Sequence, residues 1–267
     1  MKKIIAITLS LALVLSLAAC GGKDEQKPSG GDSIPSASQQ TEQTDSVPEN
    51  SQQTEQSSSK PNESKPSESQ PSDEEKRLAE KADTFAVSFG AYEGQPIAWR
   101  VLSVDVPNER ALLITKDCLA EMKFHEDEDR EALQGLTWRT SDLRVWLTGE
   151  FYFSSFTDEE KERILEVENP QDTNSETGAK EPDGYETTDT VFILSASEML
   201  QYFAEDEDMA GFLGGESVAY WTRTPGNDTS GYVCTYSDGG LYMTGNSVYS
   251  TGVAVRPAVW VDLSDGQ

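Results

Sequence analysis

The tract 21–71 sets the limits on what this chain can build. It is made of Ser, Gln, Glu, Pro and Lys with little else, as in SIPSASQQTEQTDSVPENSQQTEQSSSKPNESKPSESQPSDEE. Ordering a residue costs ~1–2 kcal/mol of backbone entropy, and the tract has almost no apolar side chain whose burial could offset it. It is therefore expected to stay a disordered linker, carried to residue 76, with a reach of ~40 Å for ~50 flexible residues. Apart from an apolar leader, the residues able to form a core lie beyond it, and the folded domain is placed at 77–267.

The leader, MKKIIAITLSLALVLSLAAC, has two lysines and then an apolar run broken only by Thr8, Ser10 and Ser16. The run is shorter than the ~20 residues of a spanning helix, and its basic, apolar, small-residue order is that of a secretory signal. It ends in Leu17-Ala18-Ala19-Cys20, which resembles the lipobox of bacterial lipoproteins. That resemblance makes 1–20 a lipoprotein signal peptide, with cleavage before Cys20 and lipidation of its thiol. The alternative is an ordinary Ala-x-Ala signal with an incidental cysteine. Two acyl chains, at ~0.8 kcal/mol per buried CH₂, would hold the protein on the extracytoplasmic face of the cytoplasmic membrane.

Charge narrows the partners. The formal net charge is −27, and loss of a leader bearing two lysines makes the rest more negative. Nucleic acid is an unsuitable partner, because its phosphates are bound by Lys and Arg that displace counterions. Anionic headgroups are repelled as well. The expected partners are a glycan, a wall component or a surface protein, besides the bilayer that takes the Cys20 anchor.

Along the chain, Ser72-Asp73-Glu74-Glu75 has capping-box spacing and opens a short helix through KRLAEKA, unless it is more linker. From Thr84, TFAVSFGAYEGQPIAWRVLSVD alternates around Gly90 and Gly94, and ERALLITKDCL follows, giving two or three strands in a meander. Ser141 or Thr140 caps DLRVWLTGEF, whose Leu143, Trp146 and Leu147 share a face. A second box at Thr157-Asp158-Glu159-Glu160 starts a helix through Ile164 and Leu165. A third, at Ser195-Ala196-Ser197-Glu198, follows a strand at 190–194, with Leu194 and Met199 placed as a hydrophobic staple.

Residues 169–189, NPQDTNSETGAKEPDGYETTD, form a long polar loop. It reads as solvated, or as a holder of calcium, which takes six to eight oxygens, although the spacing matches no EF-hand. A loop of ~20 residues in a compact domain is itself a functional hint. No other cofactor and no metal ligand is assigned. Cys118 and Cys234 allow one disulfide in an exported chain, or are two small buried hydrophobes.

The stretch 220–263, YWTRTPGNDTSGYVCTYSDGGLYMTGNSVYSTGVAVRPAVWVDL, is nearly neutral and differs in kind. GYVCTY and LYMTG flank Ser237-Asp238-Gly239-Gly240, the signal of a two-residue Asp-Gly hairpin turn. Alternation puts Tyr232, Cys234 and Tyr236 on one face. Tyr, Ser, Gly and Asn dominate, a mixture found in binding loops, although tyrosines also cover cores with their hydroxyls at the rim. The candidate ligand-binding residues are Trp221, Arg223, Asn227, Tyr232, Tyr236, Tyr242 and Asn246. Arg223 suits bidentate recognition of a carboxylate or the tying of loops, whereas Arg256, ahead of Pro257 in an apolar strand, reads as structural.

No catalytic residue is assigned. His125, in KFHEDEDRE, has no second His at metal spacing and reads as solvent-exposed. The chain lacks G-x-S-x-G, H-E-x-x-H and a phosphate-cradling glycine loop. Among 48 acidic residues no glycosidase pair stands out.

Four segments together resemble an uncharacterised extracellular domain frequent in surface lipoproteins of Gram-positive gut bacteria. They are Phe89-Gly90, Tyr92, Gly94, Pro96-Ile97 and Trp99; Thr137-Trp138, Thr140-Ser141, Leu143-Arg144 and Trp146-Leu147; the residues from Asp189 to Ser195; and Trp221, Arg223, Pro225-Gly226 with Val255-Arg256-Pro257-Ala258 and Trp260. That domain is in turn similar to the C-type-lectin-like fold of formylglycine-generating enzymes and of the variable receptors of diversity-generating retroelements. The resemblance implies an α+β fold of antiparallel strands, two or three helices and a C-terminal hairpin region carrying ligand contacts. The oxidases of that superfold need paired cysteines near the C-terminus for copper, and here only Cys234 lies in the final third, so that activity is dropped. The expected function is a membrane-anchored extracellular binding module. The alternative is a structural or assembly lipoprotein making protein–protein contacts, and a surface hydrolase comes third.

Metabolic labelling with a fatty-acid analogue is expected to mark the wild type and leave Cys20→Ala unlabelled. Equal label in both would end the claim of a lipid anchor.

Overall fold

The capping box at Ser72 opens the first element of the computed structural model, which describes residues 71–129, 133–228 and 230–265. The leader, Cys20 and the linker up to residue 70 lie outside the described residues. Ser72 Oγ accepts from the Glu75 amide at 3.1 Å, Glu75 returns a carboxylate oxygen to the Ser72 amide, and helix α1 runs Asp73–Val87. It continues well past KRLAEKA into residues expected as strand. The reason is packing: Leu78 and Ala82, one turn apart, are fully buried, and the helix lies along strand β3 (Trp99–Asp105). Arg77 pairs with Glu74, Glu109 and Asp265, while Lys81 pairs with Asp265 and donates to the Leu263 carbonyl. These pairs are exposed and contribute little, so the buried leucine is what fixes the helix.

A hairpin of β1 (Ala91–Tyr92) and β2 (Gln95–Pro96) precedes β3, as the breaks at Gly90 and Gly94 imply. β3 pairs with β4 (Arg110–Thr115), β4 with β14 (Ala258–Asp262), and β14 with β6 (Ile164–Leu165), making a four-stranded antiparallel sheet. The helix expected through Ile164 and Leu165 stops at Lys161, although its Thr157 box forms as read. Ile164 and Leu165 are taken up as an edge strand opposite Val261 and Trp260, a long-range pairing that overrides local helix propensity.

The second sheet has six strands: β12 (Leu241–Ser247), β11 (Gly231–Thr235), β10 (Glu216–Pro225), β13 (Val253–Val255) and β5 (Ala120–Glu121) in that order, with β9 (Gly211–Leu213) paired to the start of β10. Every pair is antiparallel except β10 with β13. The expected β11–β12 hairpin forms, but Thr235 pairs with Leu241, so its loop spans 236–240 and is wider than a two-residue turn. At φ +101°, a Cβ on Gly239 would stand 1.8 Å from the Asp206 carbonyl, so the loop packs tightly on the helix Asp206–Met209.

The remaining helices connect the sheets. Asp142–Trp146, a π turn at Leu147–Phe151 and Tyr152–Ser155 run on as one, burying Leu143, Leu147 and Phe151 with Trp146 half-buried. The Ser195 box starts Ala196–Tyr202, and Leu194 and Met199 are buried as the staple requires. The fold class is thus α+β. Among the described residues no helix is long and apolar enough to cross a membrane. Cys118 and Cys234 are free and buried, and burial pushes their thiols up to about 12 and about 11.

Leu78→Ala separates a packed helix from a dangling stalk. Urea denaturation is expected to show a loss of ~2–5 kcal/mol, as for other buried leucines. A loss under about 0.5 kcal/mol, the scale of a surface substitution, would mean that α1 is not part of the core.

Candidate ligand-binding site

Strand β10 carries Trp-Thr-Arg-Thr-Pro, and from Tyr220 to Pro225 every residue is buried. Each polar side chain has a protein partner. Trp221 Nε1 donates to the Met122 carbonyl at 2.7 Å, Thr222 Oγ1 to Val233 O at 3.0 Å, and Thr224 Oγ1 to Asp172 at 2.5 Å. Arg223 Nη2 lies 2.6 Å from Glu198 Oε1 on the helix that follows Ser195. Trp221 and Arg223 are therefore interior residues and not part of an open binding face. β10 is a central strand, and alternation along a strand cannot reveal a second layer covering it.

Tyr232 is interior too. Its ring stacks on Phe124 at 3.9 Å between centroids, and its hydroxyl donates to Glu181 Oε1 at 2.8 Å. A register shift between Tyr232 and Cys234 breaks the alternation that would have set Tyr236 beside it. Tyr236 is half exposed and packs against Tyr242 with the rings tilted at 46° and their centroids 5.3 Å apart, further along the hairpin. Asn246 is half-buried and accepts from the Ser247 amide and the Ser250 hydroxyl. Asn227 is exposed.

The covering layer is the loop expected to be solvated. Between β7 (Val167–Asn169) and β8 (Thr187–Asp189), which pair with each other, it lies as a strap across the hairpin. Asn174 is the clamp: its amide donates to Pro225 O at 2.9 Å and Met243 O at 2.7 Å, and its oxygen accepts from the Glu176 and Thr177 amides. Four of the acidic residues from 170 to 189, Asp172, Glu181, Asp183 and Asp189, are used as acceptors. Asp172 takes Ser197 and Thr224, Asp183 takes Arg139, and Asp189 takes Arg144, Trp138 Nε1, Asn169 and Thr187. Among the described residues no group of three or more His, Cys, Asp or Glu is placed to hold a metal ion. His125 is not solvent-exposed as expected: it is largely covered, with Nδ1 2.8 Å from Asp142.

Glu181 is the buried acid of the strap. Oε1 accepts from the Trp138 amide at 2.7 Å as well as from Tyr232. Burial raises its pKa, partly opposed by those two hydrogen bonds. Burial, then the neighbouring Glu181, pushes the Tyr232 phenol well above its ordinary 10.

Strap and turn enclose a cleft of about 270 Å³ lined by Leu136, Ala179, Lys180, Pro182, Pro225, Asn227, Asp228 and Tyr232. The Lys180 ammonium has no ion-pair or hydrogen-bond partner among the described residues. The turn depends on Gly226, where a Cβ would meet Thr244 O at 2.6 Å and Gly245 Cα at 2.8 Å. A larger cleft, about 500 Å³, lies by the β1–β2 hairpin and includes Cys118. Its thiol, held protonated by burial, offers no nucleophile.

Of the candidate residues, Asn227 and Tyr232 line the 270 Å³ cleft and Arg223 sits beyond Glu181 behind it, whereas Trp221, Tyr236, Tyr242 and Asn246 are not in its walls. Leu136, Lys180, Glu181 and Pro182 were not foreseen. The length of the polar loop was their only sequence signal, and for Leu136 there was none.

The chain is thus an α+β domain in which a polar strap closes over a central strand. By sequence it belongs to the family described as Domain of unknown function (DUF6273), whose profile matches residues 108–263. The match begins between β3 and β4, so α1 and the first hairpin lie outside it. No curated protein matches the chain, and no solved structure does.

The raised pKa of Glu181 has a sign. Above its ordinary 4.5 the unfolded chain releases this proton while the fold retains it, so stability that is whole below 4.5 is lost as pH rises through the folded value. Glu181→Gln keeps an oxygen for Trp138 and Tyr232 and has no proton to lose. Urea midpoints are expected to agree near pH 4 and to diverge in favour of the variant toward pH 7. Parallel profiles would show that Glu181 does not titrate differently on folding.

Proposed function

We propose that the domain is a non-enzymatic binding module, held outside the cytoplasmic membrane by the Cys20 lipid anchor, that takes a glycan, a cell-wall fragment or a surface protein. The observation that carries this reading is the cleft between strap and turn. It has apolar walls in Leu136, Pro182 and Pro225, with a free ammonium from Lys180 and the amide of Asn227 at its edge. Concave, mostly apolar sites with a few placed polar groups are the usual form of small-ligand sites. The carboxylates behind the cleft are engaged by other side chains, Asp172 by the Ser197 and Thr224 hydroxyls, Asp189 by Arg144 and Glu181 by Tyr232, and among the described residues no histidine lines the cleft or the chamber beside them, which supports binding over hydrolysis. The lectin-like reading of the fold rests on the Trp-x-Arg-x-Pro-Gly motif, the paired strands and the closing Arg strand, and it implies ligand contacts in the C-terminal region that supplies Pro225, Asn227, Asp228 and Tyr232 to the cleft.

A second reading has its own observation. Tyr236 and Tyr242 form an exposed aromatic pair outside the cleft, a surface suited to protein contact without small-ligand recognition.

A glycan and peptidoglycan-fragment screen on the chain lacking its leader distinguishes the two. Retention that falls at least fivefold in Asn227→Ala and Lys180→Met, and stays unchanged in Tyr236→Ala and Tyr242→Ala, is the expected result. The reverse pattern would move the site to the hairpin, and no retained ligand at all would favour the assembly role.

A further inference from the structure

Arg223 has more donors than partners. Its side chain is 3% exposed, Nη2 is held by Glu198, and Nε and Nη1 have no partner among the described residues. A guanidinium is a planar group with five N–H donors arranged as two forks. Whichever Nη2 hydrogen goes to Glu198, one two-donor fork stays open, and such a fork matches the two oxygens of a carboxylate.

The group faces a small chamber walled by Trp138, Gln171, Asp172, Glu181, Tyr185 and Thr187, among others. The acids near it are already served. Asp172 accepts from Ser197 and Thr224, Asp189 from four side chains, and Glu181 from Trp138 and Tyr232. None of them closes the open fork. The raised pKa of Glu181 also lessens the negative charge opposing an incoming anion.

Space sets the route of entry. The chamber is about 10 Å³, room for one water-sized group, so a carboxylate fits only if a wall moves. The wall that would have to move is the strap, which between β7 and β8 has neither helix nor strand and is tied down by side chains: Asp172, Asn174, Thr177, Glu181 and the Arg139–Asp183 pair at 2.7 Å. The same strap presents Lys180 to the adjoining cleft, where Tyr232 and Glu181 form the partition between cleft and chamber.

We propose that Arg223 is the receptor for the carboxylate of an acidic ligand, and that the strap between β7 and β8 is the lid that closes over it. This rests on the reading of the adjoining cleft as a ligand site. A sugar acid and a peptide C-terminus share the required chemistry.

The test is an NMR titration of the ¹⁵N-labelled chain lacking its leader, following the Arg223 Nε–H signal and the strap amides 171–186. The probes are N-acetylmuramate and an acetylated dipeptide with a free C-terminus, against N-acetylglucosamine and the dipeptide amide. One acid is expected to shift both sets of signals with at least tenfold higher affinity than its neutral counterpart. Response to the sugar acid alone, or to the peptide alone, names the source. Arg223→Lys should weaken that binding at least tenfold; should this variant not fold, the wild-type Nε–H signal decides. An Nε–H signal unmoved by either acid overturns the inference. A neutral glycan that binds the cleft while that signal stays silent overturns it too, yet leaves the binding-module reading intact.

Discussion

The guanidinium of Arg256 is the knot on which the two sheets depend. The closing segment belongs to both: Val253–Val255 lies in the six-stranded sheet and Ala258–Asp262 in the four-stranded one. Between them Arg256 Nε donates to Thr115 O at 2.9 Å, Nη2 to Lys116 O at 3.2 Å, and Nη1 to Met209 O, Ala210 O and the Tyr220 hydroxyl at 3.2–3.4 Å. Those acceptors come from the end of β4, from the segment before β9 and from β10. A strand that switches sheets leaves backbone carbonyls pointing into a corner where no neighbouring strand can reach them. Buried carbonyls need donors, and a planar group with five N–H groups satisfies several at once, where lysine would reach fewer. Pro257 suits the bend because it has no amide to leave unmet, and its carbonyl accepts from Thr115 at 3.0 Å.

The site follows from that knot. β13 pairs in parallel with β10 at Ala219 and Tyr220, which fixes where the Trp-Thr-Arg-Thr-Pro run begins. Tyr220 is pinned by its hydroxyl to the Met209 carbonyl and to Arg256, and burial pushes its phenol up to about 12, so it remains a donor at neutral pH. From there the strand delivers Arg223 to Glu198 and Thr224 to Asp172, and ends at Pro225, just before Gly226, which is pressed against Gly245. Two glycines back to back bring the turn close to β12, and Asn174 bridges both with one side-chain amide. The cleft is therefore a by-product of backbone geometry, lined by whatever the strap and the turn present to each other.

What the sequence made legible was local. The capping boxes at Ser72, Thr157 and Ser195 all form, because each needs only residues within one turn. The hairpin of β11 and β12 and the structural reading of Arg256 were legible for a similar reason, since an Arg-Pro pair in an apolar strand has few uses. The errors came where distant residues decide. Ile164 and Leu165 became a strand because β14 had a free edge. Trp221 lies inside because Phe124, about a hundred residues earlier in the chain, packs between it and Tyr232, whose ring also lines the cleft. The strap looked like solvated loop because several of its polar residues pair with the rest of the domain, and composition cannot distinguish polar groups paired with protein from polar groups paired with water.

That last ambiguity also bears on electrostatics. A chain with formal charge −27 would be expected to repel any anion, yet net charge acts at a distance and a site acts at contact. At physiological ionic strength exposed charges are screened beyond about 8 Å, whereas buried groups in a low-dielectric setting are screened far less. Near Arg223, Glu198 pairs with Nη2, Asp189 pairs with Arg144 and Asp172 accepts from the Ser197 and Thr224 hydroxyls, while Nε and Nη1 of Arg223 have no partner among the described residues. The acidity of the surface and the open donors of Arg223 thus have separate consequences. The first acts at a distance on whatever approaches and is weakened by salt, while the second leaves a guanidinium beneath the strap with unspent hydrogen-bonding capacity.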